Sequence, residues 1–255
     1  MSLFSLLKEY INQDSAVTLA VIVRGPDNLL GLKAVIPGQG EAAGPLLETP
    51  WRDQIVQAAH QLMQGRGPAK RRYPPSTDAS QPELEVFFDV YRPAPRLIIV
   101  GGVHIAIDLI HFAKLLGFRT CLVDPRTAFA TAERFPHVDR LVHRWPDEAL
   151  AEIGLTPETG VVVVTHDPKL DDPALKVALP SPVFYVGALG SPKTHARRVE
   201  RLLADGLAEA QVRRLHAPIG LEIGGHTPAE IALSIVAEIV ATRNDMPIPR
   251  GENKQ

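Results

Sequence analysis

A chain of 255 residues can hold one large or two small domains, each able to bury a core. Hydrophobic residues make up 45% and charged residues 22%, with a formal net charge of −2, so no basic field is available to hold nucleic acid. No apolar stretch approaches the length of a membrane span, and Lys8, Glu9 and Asp14 stand where a signal peptide needs an uncharged core. The expected location is the cytoplasm, with neither membrane nor nucleic acid as a partner.

Apolar positions Leu3, Leu6, Leu7 and Tyr10 share a helical face over residues 2 to 11, and Thr18 to Val23 reads as a strand. Short elements follow around Leu29 to Ile36. A helix is expected from about Pro50 to Gln64, with Thr49 as N-cap and Pro50 at the first helical position. The segment Gly65 to Pro82 is rich in Pro, Gly, Ser and Arg and reads as an exposed loop or linker, its Lys70-Arg71-Arg72 run a solvated face or, alternatively, a docking patch. Leu84 to Tyr91 returns to strand character. Pro93-Ala94-Pro95 then breaks the chain, and a domain boundary is expected there: a smaller α+β domain over 1–93, with its linker near 65–82, and a second domain over 94–255.

The second domain opens with Leu97-Ile-Ile-Val100, a paired glycine turn at Gly101-Gly102, a helical stretch to Leu116, and the strand Thr120 to Val123 ending in Asp124. Strand, glycine turn, helix, strand and acid in that order make a nucleotide-binding βαβ unit. The phosphate turn of such units reads G-x-G-x-x-G/A; here the three positions hold Gly101, Val103 and Ala106. A branched side chain at the second position opposes a diphosphate in the usual pose. Asp124, 23 positions after Gly101, stands where an acid accepts hydrogen bonds from a ribose, or is a solvated carboxylate at a strand end.

Further strands are expected near Arg140 to Val142, Val161 to Thr165 and Val183 to Val186. Helices fall near 103–116, 146–152, 171–178, 192–204 and 228–243, the last opened by a Thr227/Glu230 capping box with Pro228 between. This alternation predicts an α/β fold, a Rossmann-like parallel sheet covered on both faces. The apolar content of the final helix fits a homodimer contact or packing onto the sheet equally well. The single cysteine, Cys121, sits within a strand as a small buried residue, so internal disulfides and C-x-x-C sites are excluded.

In open α/β sheets ligands bind beyond the carboxyl ends of the strands. Four segments there carry polar groups and should converge on one crevice: Gly101, Gly102 and His104; Asp124 and Arg126; Thr165, His166 and Asp167; and Gly187, Gly190, Ser191, His195 and Arg198. The trio Thr165, His166 and Asp167 could orient a ligand or move a proton, or Asp167 before Pro168 could cap local amides. Gly187 to Pro192 opens a helix bearing His195, Arg197 and Arg198, the makings of an anion site, although a plain strand-helix turn explains its glycines and Ser191 equally well. His104, Asp108 and His111 share a helix face at ligand-like spacing, but no further ligand set accompanies them and no metal site is expected. His216 to Gly225 is a glycine-punctuated connector suited to covering a crevice or forming an intersubunit contact.

These motifs together resemble the XdhC/CoxI family, accessory factors for xanthine dehydrogenase and related molybdenum hydroxylases. The likeness covers roughly residues 84 to 243. It runs through Val100-Gly-Gly-Val-His-Ile-Ala106, Val123-Asp-Pro-Arg126, Thr165-His-Asp-Pro-Lys-Leu-Asp-Asp172, Tyr185-Val-Gly-Ala-Leu-Gly-Ser191 with Thr194-His-Ala-Arg-Arg198, and Leu215-His-Ala-Pro-Ile-Gly-Leu-Glu-Ile-Gly224. The resemblance implies a small N-terminal domain and a Rossmann-like domain that bind the pterin-based molybdenum cofactor (molybdopterin) and help deliver it, sulfurated, to an apo-hydroxylase. A cysteine desulfurase is a further partner that it implies. Two departures are visible. The family turn looks like G-A-G-H-V-A, where this chain has Val103, and the glycine-rich N-terminal segment Gly31 to Gly44 lacks the cysteine that members commonly carry there. Two other readings compete with this non-enzymatic carrier: an NAD(P)-dependent oxidoreductase using His166 or His195 as proton donor, and a nucleotide-sensing Rossmann protein without turnover.

Overall fold

The computed structural model describes residues 2–65, 68–74 and 83–248. The chain divides into two compact units, Met1–Pro93 and Ala94–Gln255.

The first unit contains α1 (Leu3–Asn12), β1 (Val17–Arg24), β2 (Lys33–Pro37), a short 3-10 turn at Pro45–Glu48, α2 (Arg52–Gln64), β3 (Ala69–Tyr73) and β4 (Leu84–Tyr91). Its sheet is antiparallel in the order β2-β1-β4-β3. Strand alternation sends Ala20, Ile22, Ile36 and Phe88 to the face that also buries Trp51, Ile55 and Ala59 of the α2 region, while Val17 and Val35 pack with Leu7 of α1.

Two expectations are corrected here. The loop predicted over 65–82 contains β3, whose Lys70, Arg71 and Arg72 are exposed as expected but whose backbone pairs with β4. The rest of that predicted loop, 66–67 and 75–82, lies outside the described residues. Thr49 does not cap α2: its hydroxyl donates to the Leu46 carbonyl, closing the 3-10 turn, and α2 begins at Arg52 after Trp51.

The second unit contains β5 (Arg96–Val100), α3 (His104–Leu115), β6 (Arg119–Val123), β7 (Arg140–Val142), α4 (Pro146–Ile153), β8 (Thr159–Val163), α5 (Pro168–Ala178), β9 (Tyr185–Ala188), α6 (Pro192–Ala204), α7 (Glu209–Val212), β10 (Leu215–His216) and α8 (Pro228–Arg243). All six strands are parallel, in the order β10-β9-β8-β5-β6-β7. This is the Rossmann-like α/β sheet read from the sequence. Its central strands are apolar on both faces because both are covered. Residues of β5, β6 and β8 alternate between two cores, one shared with α4, α5 and α6 and the other with α3 and α8.

Element ends differ by a few residues. The strand expected at Val183 to Val186 runs from Tyr185 to Ala188, and the helix expected from 171 starts at Pro168, because the Asp167 carboxylate accepts the Lys169 amide as an N-cap. Thr227 and Glu230 form the predicted capping box at α8.

Candidate functional site

Strand order reverses between β5 and β8, one crossing outward to β6 and β7 and the other to β9 and β10. The strands also end level. Val100 pairs with both Val123 and Val163, and Val163 pairs with Ala188, so the segments after them emerge side by side at one edge of the sheet. The Thr165 methyl lies 2.8 Å from where a Cβ on Gly101 would be, which joins the tips of β5 and β8 directly. Gly101 has φ +119°, a conformation that favours glycine at this close approach.

On the β6 side the sequence signal has a different structural use. Asp124 is fully buried, and both of its oxygens are engaged: Oδ2 accepts from the Gly102 amide at 2.8 Å and from Arg126 Nη2 at 2.8 Å, while Oδ1 accepts from the Arg126 amide and Nε, each at 2.9 Å. Burial works to raise its pKa; the Arg126 side chain and the two amides outweigh that and hold it below the ordinary carboxylate value. Asp124 therefore locks two loops together rather than offering an oxygen to a ribose.

Gly102 meets the chain's own backbone. A Cβ there would lie 2.8 Å from the Phe129 carbonyl oxygen and 3.2 Å from the Ala130 nitrogen. The close approach that the glycine pair permits is thus made by the segment after β6. Arg126 stacks over the Phe129 ring at 4.2 Å and helps hold that segment in place. His104, the first residue of α3, is exposed beside this turn.

At the β8 tip, His166 has φ +62°, uncommon for a side chain larger than glycine, and is exposed. Thr165 donates its hydroxyl to Asp171 Oδ1 at 2.5 Å, and Arg198 Nη2 reaches Asp171 Oδ2 at 3.0 Å. Burial is the leading influence on Asp171 and leaves its pKa raised despite both partners. Asp167, the α5 cap, supplies negative charge toward Arg126 of the β6 tip.

Gly187 is inside β9, not at its tip. The space left by its missing side chain is filled by Ile219 Cδ1, 2.5 Å from the Cβ position, and by the Tyr185 hydroxyl, so its role is packing. Gly190 and Ser191 form the tip itself. Ser191 caps α6 by accepting the Thr194 amide, and Gly190 has φ +152°. His195 is half-buried one turn into the helix, and Arg197 is exposed.

Arg198 is 1% exposed. Its Nη2 is shared between Asp171 and the Leu189 carbonyl, while Nε and Nη1 are buried without a hydrogen-bond partner among the described residues. Nη1 lies 3.6 Å from the Cβ position of Gly190. A buried guanidinium with unused donors beside a helix N-terminus leaves hydrogen-bonding capacity of the kind that an anion's oxygens satisfy.

The matching family model is the XdhC Rossmann domain, which spans residues 97–239, more than half of the chain. The chain belongs to the XdhC family. Among curated relatives it is 34% identical, over 62% of its length, to a Bacillus subtilis protein named as a probable subunit of xanthine dehydrogenase. It is 28% identical over 97% of its length to an uncharacterized protein, YqeB, of Escherichia coli. It is 27% identical over 50% of its length to the molybdenum cofactor insertion chaperone PaoD of Escherichia coli. These matches cover 47%, 46% and 42% of YqeB, the Bacillus protein and PaoD, so this XdhC chain spans about half the length of the curated relatives it matches. A solved structure described as a xanthine dehydrogenase from Bacillus halodurans shares the fold at a TM-score of 0.54 and 19% identity, over 100% of this chain and 98% of that one.

Two buried acids that sequence reasoning did not single out lie on helices packed against the strand ends. Asp171 and Glu238 look like solvated helical acids in the sequence but are buried. Glu238 accepts from the Tyr185 hydroxyl at 2.6 Å and the Gly220 amide at 2.8 Å, and pairs with His216 Nδ1 at 3.1 Å. Burial pushes its pKa up, and these three contacts more than reverse that, leaving it below the ordinary value. No sequence period marks either residue; only the capped start of α5 and the loop ahead of α8 placed their helices against the strand ends. Elsewhere, a cavity of about 780 Å³ opens in the first unit beside Pro37, Glu41, Arg52, Gln57 and His60, and no strand-tip residue lines it. The strand tips, unlike the lining of this cavity, hold a buried arginine with unused donors. Among the described residues no three His, Cys, Asp or Glu cluster as metal ligands, and no helix is long and apolar enough to cross a membrane.

Proposed function

We propose that this chain is an accessory protein that binds the molybdenum cofactor and assists its delivery, in sulfurated form, to a molybdenum hydroxylase of the xanthine dehydrogenase type. The name of PaoD, a molybdenum cofactor insertion chaperone, supports the delivery role, and that of the Bacillus subtilis relative, a probable xanthine dehydrogenase subunit, supports the type of recipient. The observation that carries the binding claim is Arg198, buried with Nε and Nη1 unused beside the Gly190-Ser191 tip. The cargo is a pterin bearing a phosphate, and a phosphate oxygen that reached Arg198 would complete those donors beside the positive end of α6. Exposed His104 and strained His166 stand on the neighbouring tips, where the rest of the ligand would lie. A cysteine desulfurase supplies the sulfur in this reading, and the apo-hydroxylase is the recipient.

A dinucleotide is disfavoured by two features of the β5 turn. The Gly102 amide is already hydrogen-bonded to Asp124, and the backbone of Phe129 and Ala130 fills the place of close approach. Nothing in the site favours the oxidoreductase or nucleotide-sensing readings over the carrier.

The test is anaerobic incubation of the purified chain with the cofactor, followed by measurement of retained pterin fluorescence after oxidation. The wild type is expected to retain pterin stoichiometrically. Arg198→Lys keeps a charge near Asp171 but loses the planar fork, and should weaken retention about 10- to 100-fold. Calorimetry with NAD(H) and NADP(H) is expected to give no binding heat. No retention by wild type, or tight dinucleotide binding with substrate-dependent hydride transfer, would overturn the proposal.

A further inference from the structure

The edge of the sheet next to the anion tip holds a second oriented group. β10 pairs with β9 in parallel, with His216 level with Gly187, three residues before Gly190. Both strands point the same way, so His216 ends β10 at the same edge from which the Gly190 tip emerges.

The imidazole is fixed on two sides. Its Nδ1 contacts Glu238 Oε1 at 3.1 Å, and its ring lies 4.6 Å from that of Tyr185, centroid to centroid. Glu238 is 3% exposed, and its other oxygen is taken by the Tyr185 hydroxyl and the Gly220 amide. An acceptor-only carboxylate at Nδ1 selects the tautomer with the proton on Nδ1, which leaves Nε2 as an oriented acceptor. Among the described residues nothing hydrogen-bonds Nε2, and the side chain keeps 13% of its exposure. A histidine placed only for packing would be enclosed with both nitrogens matched. Here a carboxylate is buried, at a desolvation cost, to aim a ring whose far nitrogen is left available.

We propose that His216 is a second ligand-binding residue of this site, its Nε2 accepting a hydrogen bond from a ring N–H of a planar heterocycle whose anionic group is held at Gly190 and Arg198. The inference rests on the proposed function and narrows it. The site takes a two-ended ligand, with an anion at one end and an N–H-bearing fused ring such as a pterin at the other. In the Nδ1–H tautomer the Nε2 lone pair repels a phosphate oxygen, so the two ends are told apart by the chemistry of each subsite.

The test compares three probes on the full chain by calorimetry: inorganic phosphate, a stable phosphorylated pterin, and the same pterin without phosphate. His216→Asn keeps a side-chain amide donor near the Nδ1 position for Glu238 and removes Nε2. It should weaken both pterins about tenfold, leave phosphate affinity unchanged and leave the unfolding midpoint near that of wild type. Imidazole 15N spectra of the wild type give a readout that needs no variant: the Nε2 resonance of His216 moves with either pterin and not with phosphate. Pterin affinity unchanged in His216→Asn, phosphate affinity lost in parallel, or an Nε2 signal unmoved by pterin overturns the inference while the anion site stands. Failure of all three probes to bind wild type removes the proposed function together with it.

Discussion

Arg198 and Asp171 form an ion pair that is hard to explain by stability. Both side chains are almost fully buried, at 2% and 3% exposure, and burial keeps the Asp171 pKa raised even with Arg198 and Thr165 beside it. A buried pair of this kind is weak evidence for stability, and its geometry fixes the Arg198 side chain beside the Gly190 tip. Asp124 behaves in the opposite sense, because its depressed pKa marks a carboxylate whose ionised form the fold favours. Its contribution is therefore fully present above the unfolded value of about 3.9 and is lost as pH falls through the lower folded value. Asp124→Asn puts an amide donor against the Gly102 or Arg126 amide, and should cost about 2 kcal/mol at neutral pH. Urea unfolding across pH checks this: the gap between wild type and variant should close on acidification. A gap that is constant down to strongly acidic pH would contradict the assignment.

At the scale of elements, legibility followed burial. Leu97 to Val100 and Val161 to Val164 are continuous apolar runs because both of their faces are covered, and such runs can be read directly. β3 was not legible: it is a sheet edge whose exposed Lys70 and Arg72 reach Glu85, and a charged edge strand has the composition of a loop. Thr49-Pro50 carried a helix-start signature that the preceding 3-10 turn had already used. At the strand ends, the polar residues of the tips could be located from position alone. Asp171, Glu238 and the Phe129-Ala130 segment were not, because each acts through a contact distant in sequence. Gly102→Ala tests the last of these. The added methyl meets backbone atoms of Phe129 and Ala130 that have no rotamer to relieve it, so about 1–3 kcal/mol of stability should be lost. Thermal unfolding of the variant with an unchanged midpoint would show that the segment is not held there.

At the scale of the molecule, a parallel sheet with level strand ends gathers polar residues from positions 101 to 216 at one edge, and the family match falls on this unit. The first unit, with its antiparallel sheet, contributes the separate cavity beside Arg52 and His60. The central claim is that ligand is gripped by the strand tips of the second unit. Hydrogen-deuterium exchange on the whole chain, with and without a phosphorylated pterin, tests it most directly. Protection is expected together in the segments around Gly101, Arg126, Thr165 and Gly190. Protection confined to residues 36–61, or none at saturating pterin, would contradict it.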